Sequence, residues 1–251
     1  MEERPLLRQL LESDDETGRP LGERLGFGDV LWGRLDLVVV SMVALVGQVI
    51  LVPAGYMGAA QLFAPAYQVS SVGFFASVLI SYAVLMAAVW LVGVRRHGGS
   101  GADLGFRPLD ARGLAGLLAA LAATVAAANI VVGMATELPR TQDLFRFGDS
   151  PIDIFLLALL VTIAAPLAEE TFFRGFLLQG LARRFSFWPA AVLTSAAFAL
   201  AHVWWQLYLP IFVLGLAFAW LFWRTGSLWA PIAAHATINA TSLVVALTIG
   251  R

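Results

Sequence analysis

Apolar runs of roughly 20 residues recur along almost the whole of this 251-residue chain, and no other feature limits its fold so severely. They fall at about Leu37–Tyr56, Val72–Val94, Leu114–Met134, Ile152–Leu181, Phe187–Trp205, Leu207–Trp223 and Leu228–Ile249. Each is a candidate transmembrane helix, and the Ile152–Leu181 run is too long for one straight crossing. A chain with 59% hydrophobic and 13% charged residues is far from an ordinary soluble domain, so the lipid bilayer is its expected surroundings.

The polar remainder limits partners and orientation. A net charge of -1 with no clustered basic stripe argues against a nucleic-acid partner. Without cysteine the chain forms no disulfide, thiolate nucleophile, Cys-ligated zinc or lipidated Cys. The first 36 residues mix acids, arginines, glycines and prolines with no apolar core, so they read as a cytosolic polar tail and not as a signal peptide. Arg4, Arg8, Arg19, Arg24 and Arg34 in that tail, and Arg95, Arg96 and Arg107 in the second loop, put those segments inside by the positive-inside rule. Arg183, Arg184 and Arg224 fall on the same side in an alternating count, and only Arg140 and Arg146 go against it. The tryptophans Trp188, Trp204, Trp205, Trp223 and Trp229 sit near span ends, as interfacial anchors do. His97, in a loop, is set aside as non-functional.

Ionisable groups at membrane depth are costly, so those that occur there face one another or a wet cavity and mark a site. In the last four spans they are Glu169, Glu170, Arg174 and two histidines, His202 and His235, accompanied by Gln179 and Asn239. Glu170 and Arg174 are four residues apart, the separation at which a carboxylate and a guanidinium meet on a helix. Glu169 lies about 100° further round and is expected to be free to titrate. Pro166 removes a backbone donor one turn earlier, so a kink or local opening is expected beside the site, and the long Ile152–Leu181 run favours a break of that helix near Pro166. His235 and Asn239 again share one helix face, where Asn239 can orient the imidazole or donate its own amide hydrogens.

The depths agree. Along helices rising about 1.5 Å per residue, Glu169 lies roughly 21 Å from Arg183 and His202 roughly 24 Å from Ser186, with His235 and Asn239 roughly 14 and 20 Å from Gly226. A carboxylate, two imidazoles and an amide can activate a water and stabilise an oxyanion.

Glu169 to Arg174 fits EExxxR, Phe198 to His202 fits FxxxH, and His235 to Asn239 fits HxxxN. With those motifs in that order, the last 100 or so residues resemble the CAAX-processing and bacteriocin-processing membrane proteases, the CPBP or Abi family, which includes the type II CAAX prenyl endopeptidases. The resemblance implies an all-α intramembrane protein with its active site in a helix-bundle cavity, and the apolar runs make it polytopic, with seven or eight transmembrane helices. Composition and apolar runs mark a cytosolic tail (1–36) and N-terminal transmembrane helices (37–151), and the resemblance marks residues 152–249 as the catalytic helical core.

The activity so implied is intramembrane endopeptidase cleavage of a membrane-tethered protein or peptide. Glu169 with His202 would hold and activate the attacking water, His235 and Asn239 would stabilise the tetrahedral oxyanion, and Glu170 with Arg174 would support the site. A tightly bound metal is not expected. If one is used, zinc on Glu169, His202 and His235 is the alternative, since three protein ligands and a water make a catalytic zinc site. A non-catalytic membrane scaffold or peptide-immunity protein of the same fold is the competing function, and a proton-coupled transporter is a weaker one, there being no internal repeat. The Ala-, Gly- and Arg-rich, Lys-free composition points to a prokaryotic cell membrane.

Overall fold

A computed structural model describes residues 30–52, 67–109, 150–202 and 205–249. The expected span Leu114–Met134, most of the polar tail, Arg140, Arg146 and Trp204 lie outside the described residues. Among the described residues 85% are helical and none is in a strand, so the protein is all-α.

Helix α1 is Arg34–Val46, continued by a wide π turn at Gly47–Leu51. Helix α2, Tyr67–Ala88, runs on through a π stretch, Val89–Val94. Helix α3, Pro151–Phe185, is 35 residues long. Ser186, at φ 61°, reverses the chain into α4, Phe187–Leu200. Helices α5, Tyr208–Thr225, and α6, Trp229–Ile249, complete the set. By length and composition, three helices among the described residues can cross a membrane: Gly73–His97, Pro151–Phe185 and Trp205–Thr225.

Two expectations change here. Helix α3 does not break at Pro166. It widens instead into a π stretch at Leu160–Ala164 directly before the proline, and into a second at Thr171–Leu178. Such insertions absorb a missing donor without interrupting the helix. Helix α4 is also shorter than the expected Phe187–Trp205 crossing. Its 14 residues reach about 21 Å at 1.5 Å per residue, short of the ~30 Å hydrocarbon thickness.

Helix α3 is the axis of the packing. On one side Phe172 and Phe176 join Val40 of α1 and Leu85 and Val89 of α2. Phe176 is fully buried and stacks on Trp32 at 5.1 Å between ring centroids, and the Trp32 indole N–H donates to the Phe176 carbonyl at 3.1 Å. On the other side Leu178 meets Ala190 of α4 and Ala219 and Phe222 of α5. Because lipid is as apolar as these side chains, close packing and hydrogen bonds hold the helices together, and small residues mark the contacts. A Cβ on Gly93 would stand 2.6 Å from the Phe176 ring, and one on Gly215 would stand 2.8 Å from Ser195 Cβ. Outward-facing Leu35, Phe155, Leu200 and Leu209 are each more than 60% exposed, as suits a lipid-facing surface.

The arginine-rich end is tied by polar contacts. Asp36 accepts from the Gly33 N–H and pairs with His97 at 2.9 Å and Arg96 at 3.4 Å, so His97 is not an idle loop residue. Burial alone would raise the Asp36 pKa, but the Gly33 hydrogen bond, His97 and Arg96 outweigh it and hold the carboxyl below its ordinary value. Arg183 donates to the Val30 carbonyl, and Gln179 to the carbonyls of Gly175 and Asp103.

Candidate active site

Glu170 is the centre of the buried polar cluster. Its Oε1 accepts from Arg174 Nη1 at 2.8 Å and stands 2.8 Å from His235 Nδ1. Glu170 and Arg174 are each 1% exposed or less, so the ion pair expected from their spacing is formed and fully desolvated. Arg174 also donates to the Gly215 carbonyl at 3.2 Å. Its guanidinium carbon lies 4.4 Å from the centre of the Phe198 ring and 5.3 Å from that of Phe218, both within cation–π range.

The histidines are each pinned at Nδ1. A carboxylate offers only acceptors, so His235 donates from Nδ1 to Glu170 and turns Nε2 to the other side. Phe218 stacks on its ring at 5.2 Å. His202 ends α4: its own N–H has moved to the Ala199 carbonyl, which leaves the Phe198 carbonyl without its usual i+4 donor. The imidazole takes that acceptor, Nδ1 to oxygen 2.8 Å. The four-residue spacing of FxxxH is what lets the ring reach back one turn.

Asn239 has a parallel explanation. The Ala165 N–H bonds Leu160 across the π turn and Pro166 has no N–H, so the Val161 carbonyl loses both candidate donors. Asn239 Nδ2 supplies one from α6, at 2.8 Å. It therefore does not orient His235; Glu170 does. One Asn239 amide hydrogen is engaged on Val161, and a second remains.

Glu169 is the partly exposed carboxylate of the pair, at 19% of its side-chain surface. Its Oε2 lies 4.0 Å from His235 Nε2, and its Oε1 accepts from the Tyr82 hydroxyl at 2.6 Å. Expected to lack the Arg174 partner, Glu169 has a donor on α2, 87 residues away. The spacing within its own helix could not reveal that. A signal existed all the same. Phe75, Val78, Leu85 and Val89 are all buried, and Tyr82 falls on the same face at alternating steps of three and four residues, the single polar group in that stripe.

The structure thus brings Glu169, Glu170, Arg174 and His235 into one cluster and places Asn239 one turn along α6. His202 joins through Phe198, whose ring is 4.9 Å from the His202 ring and 5.8 Å from that of His235. Among the described residues no hydrogen bond or ion pair links His202 to either glutamate. Nor, among them, do three or more His, Cys, Asp or Glu group as a metal site.

Residues 151–241 match the family model described as type II CAAX prenyl endopeptidase Rce1-like. This segment is similar to the Rce1-like family. Its first and last residues lie on α3 and α6, so the Rce1-like segment contains every motif residue from Glu169 to Asn239. Two curated bacterial proteins are similar. An Escherichia coli protein named "Uncharacterized 24.3 kDa protein" is 35% identical over 120 residues, 45% of this chain and 54% of the relative. A Bacillus subtilis (strain 168) protein named "Putative membrane peptidase YdiL" is 27% identical over 117 residues, 47% of each chain. The chain spans about half the length of these relatives. No solved structure matches it. The apolar helices and the family match indicate a membrane protein. Tyr82 lies outside the matched residues.

Proposed function

We propose that the protein is an intramembrane endopeptidase that hydrolyses a peptide bond of a membrane-tethered protein or peptide. The observation that carries this reading is the Glu169 carboxylate, partly exposed and 4.0 Å from Nε2 of His235, an imidazole whose Nδ1 is engaged by Glu170, with His202 reached through the Phe198 ring. Glu169 takes a proton from water as the oxygen attacks the scissile carbonyl carbon. His202 holds that water through Nε2. The tetrahedral oxyanion accepts from His235 Nε2, in the protonated form of the ring, and from the second amide hydrogen of Asn239. When the C–N bond breaks, the amine leaves with the proton from Glu169, and a carboxyl and a free amine result. Glu170 and Arg174 keep His235 aimed. No step needs a tightly bound metal, and zinc on Glu169, His202 and His235 stays the alternative.

Seven crossings are part of this proposal, with the N-terminus cytosolic and the site in a cavity of the bundle at the end of the short α4. It also includes a prokaryotic cell membrane. The experiment is turnover of a fluorogenic, membrane-anchored peptide library by purified protein. His202→Ala and Asn239→Ala are expected to lose turnover by 100-fold or so while keeping the wild-type elution volume and helix content. Undiminished turnover by both variants would sink the proposed mechanism, whereas a wild type and variants that share full biological activity without cleaving any peptide would favour a non-catalytic scaffold.

A further inference from the structure

Helix α2 lies outside the Rce1-like segment, yet its packed face runs along α3 from end to end. Phe75 and Val78 cluster with Leu157 and Leu160, and Leu85 and Val89 cluster with Phe172 and Phe176. Between those two contacts the seam reaches Tyr82 on one helix and Glu169 on the other, and the phenol meets the carboxylate at 2.6 Å. That length is typical of a hydroxyl donating to an ionised carboxylate, a charge-assisted bond about twice as strong as a neutral one.

We propose that Tyr82 is a positioning residue for the hydrolysis. This rests on Glu169 being the group that takes the proton from water. A glutamate carboxylate turns freely about its last torsion, so its two oxygens are interchangeable until something distinguishes them. The Tyr82 hydroxyl does so. It occupies Oε1 and leaves Oε2 as the oxygen that faces His235 Nε2, at 4.0 Å. Without that donor Glu169 stays partly buried on the same helix, but the oxygen meant for the water is no longer fixed. Displacing a reacting group by about 1 Å can cost about 100-fold in rate. The blander account is that a tyrosine in an apolar seam only seeks an acceptor for its own O–H. That account gives Tyr82 no influence on turnover.

The two accounts part in a double-mutant cycle on the full-length protein. Wild type, Tyr82→Phe, Glu169→Ala and the double variant are compared for kcat and KM on the fluorogenic membrane-anchored peptides, and for apparent Tm. Tyr82→Phe removes one oxygen and leaves the seam filled. Its kcat is expected to fall about 10- to 100-fold, with KM within about twofold, because Tyr82 touches Glu169 and not substrate. Added to Glu169→Ala, it should change nothing further. Replacement of Tyr82 by 4-aminophenylalanine, which keeps a donor at the same place, should restore most of the lost kcat.

A Tyr82→Phe enzyme with unaltered kcat overturns the inference, and so does a loss of kcat that the donor-bearing replacement fails to repair. Should Glu169→Ala itself turn over normally, the endopeptidase proposal falls and this inference with it. An inactive Glu169→Ala beside a fully active Tyr82→Phe removes Tyr82 alone.

Discussion

Arg174→Met is the perturbation whose cost is best defined by the structure. The guanidinium is 1% exposed, bonded to Glu170 at 2.8 Å and to the Gly215 carbonyl at 3.2 Å, and ringed by Phe173, Phe198 and Phe218. Methionine fills much of the same space. What it leaves behind is a Glu170 carboxylate that is 0% exposed and has only His235 as a partner. Removing one member of a buried ion pair costs about 3–5 kcal/mol, mostly through the charge left uncompensated. At about 2–4 °C per kcal/mol for a chain of this size, apparent Tm should fall by roughly 6–20 °C in detergent, followed by tryptophan fluorescence. If the uncompensated charge is the cause, removing it should repair the damage. Arg174→Met with Glu170→Leu is therefore expected to recover most of the Tm. It should not recover turnover, because His235 then has nothing at Nδ1. A single Arg174→Met that melts with wild type, or a double variant less stable than the single one, would refute the reasoning.

Pro166→Ala returns an N–H that can bond Val161, so Asn239 loses its anchor on α3; kcat is expected to fall about tenfold while Tm holds or rises, measured by peptide turnover and melting. Gly215→Ala drives a Cβ to 2.8 Å from Ser195 Cβ and 3.1 Å from its Cα. Overpacking of that kind costs about 1–3 kcal/mol, to be read as a lower Tm. For Asp36 the folded pKa lies below its ordinary value of 3.8, so its stabilising share is present above that pH and is lost as pH falls through the lower, folded value. Asp36→Asn is expected to lower Tm at pH 6 and to show a flatter Tm profile than wild type below about pH 4.

The sequence made the motif helix pair legible because the information is local. Glu170 and Arg174 sit one turn apart, and any helix over that stretch must bring them together. Apolar length likewise marked most of the helices. What hydropathy could not show was where a helix stops inside an apolar run. Helix α4 ends at Leu200 because His202 takes over the Phe198 carbonyl, a choice made by one side chain and not by composition. Pro166 was legible as a disturbance, but its result depended on α6: with Asn239 supplying a donor to Val161, a π turn suffices and no break is needed. Tyr82 was the least accessible. Its meaning lies in the register of α2 against α3, which a stripe of alternating three- and four-residue steps hinted at and only the packed helices fixed.

The central claim is that Glu169 activates the water, and the most direct test compares wild type with Glu169→Gln on fluorogenic membrane-anchored peptides, each with and without a chelator. Glutamine keeps the shape and an acceptor for Tyr82 but cannot take a proton. Turnover lost in the variant and retained by chelated wild type is the expected result. A Glu169→Gln enzyme that cleaves at the wild-type rate, or a wild type silenced by the chelator, would contradict it.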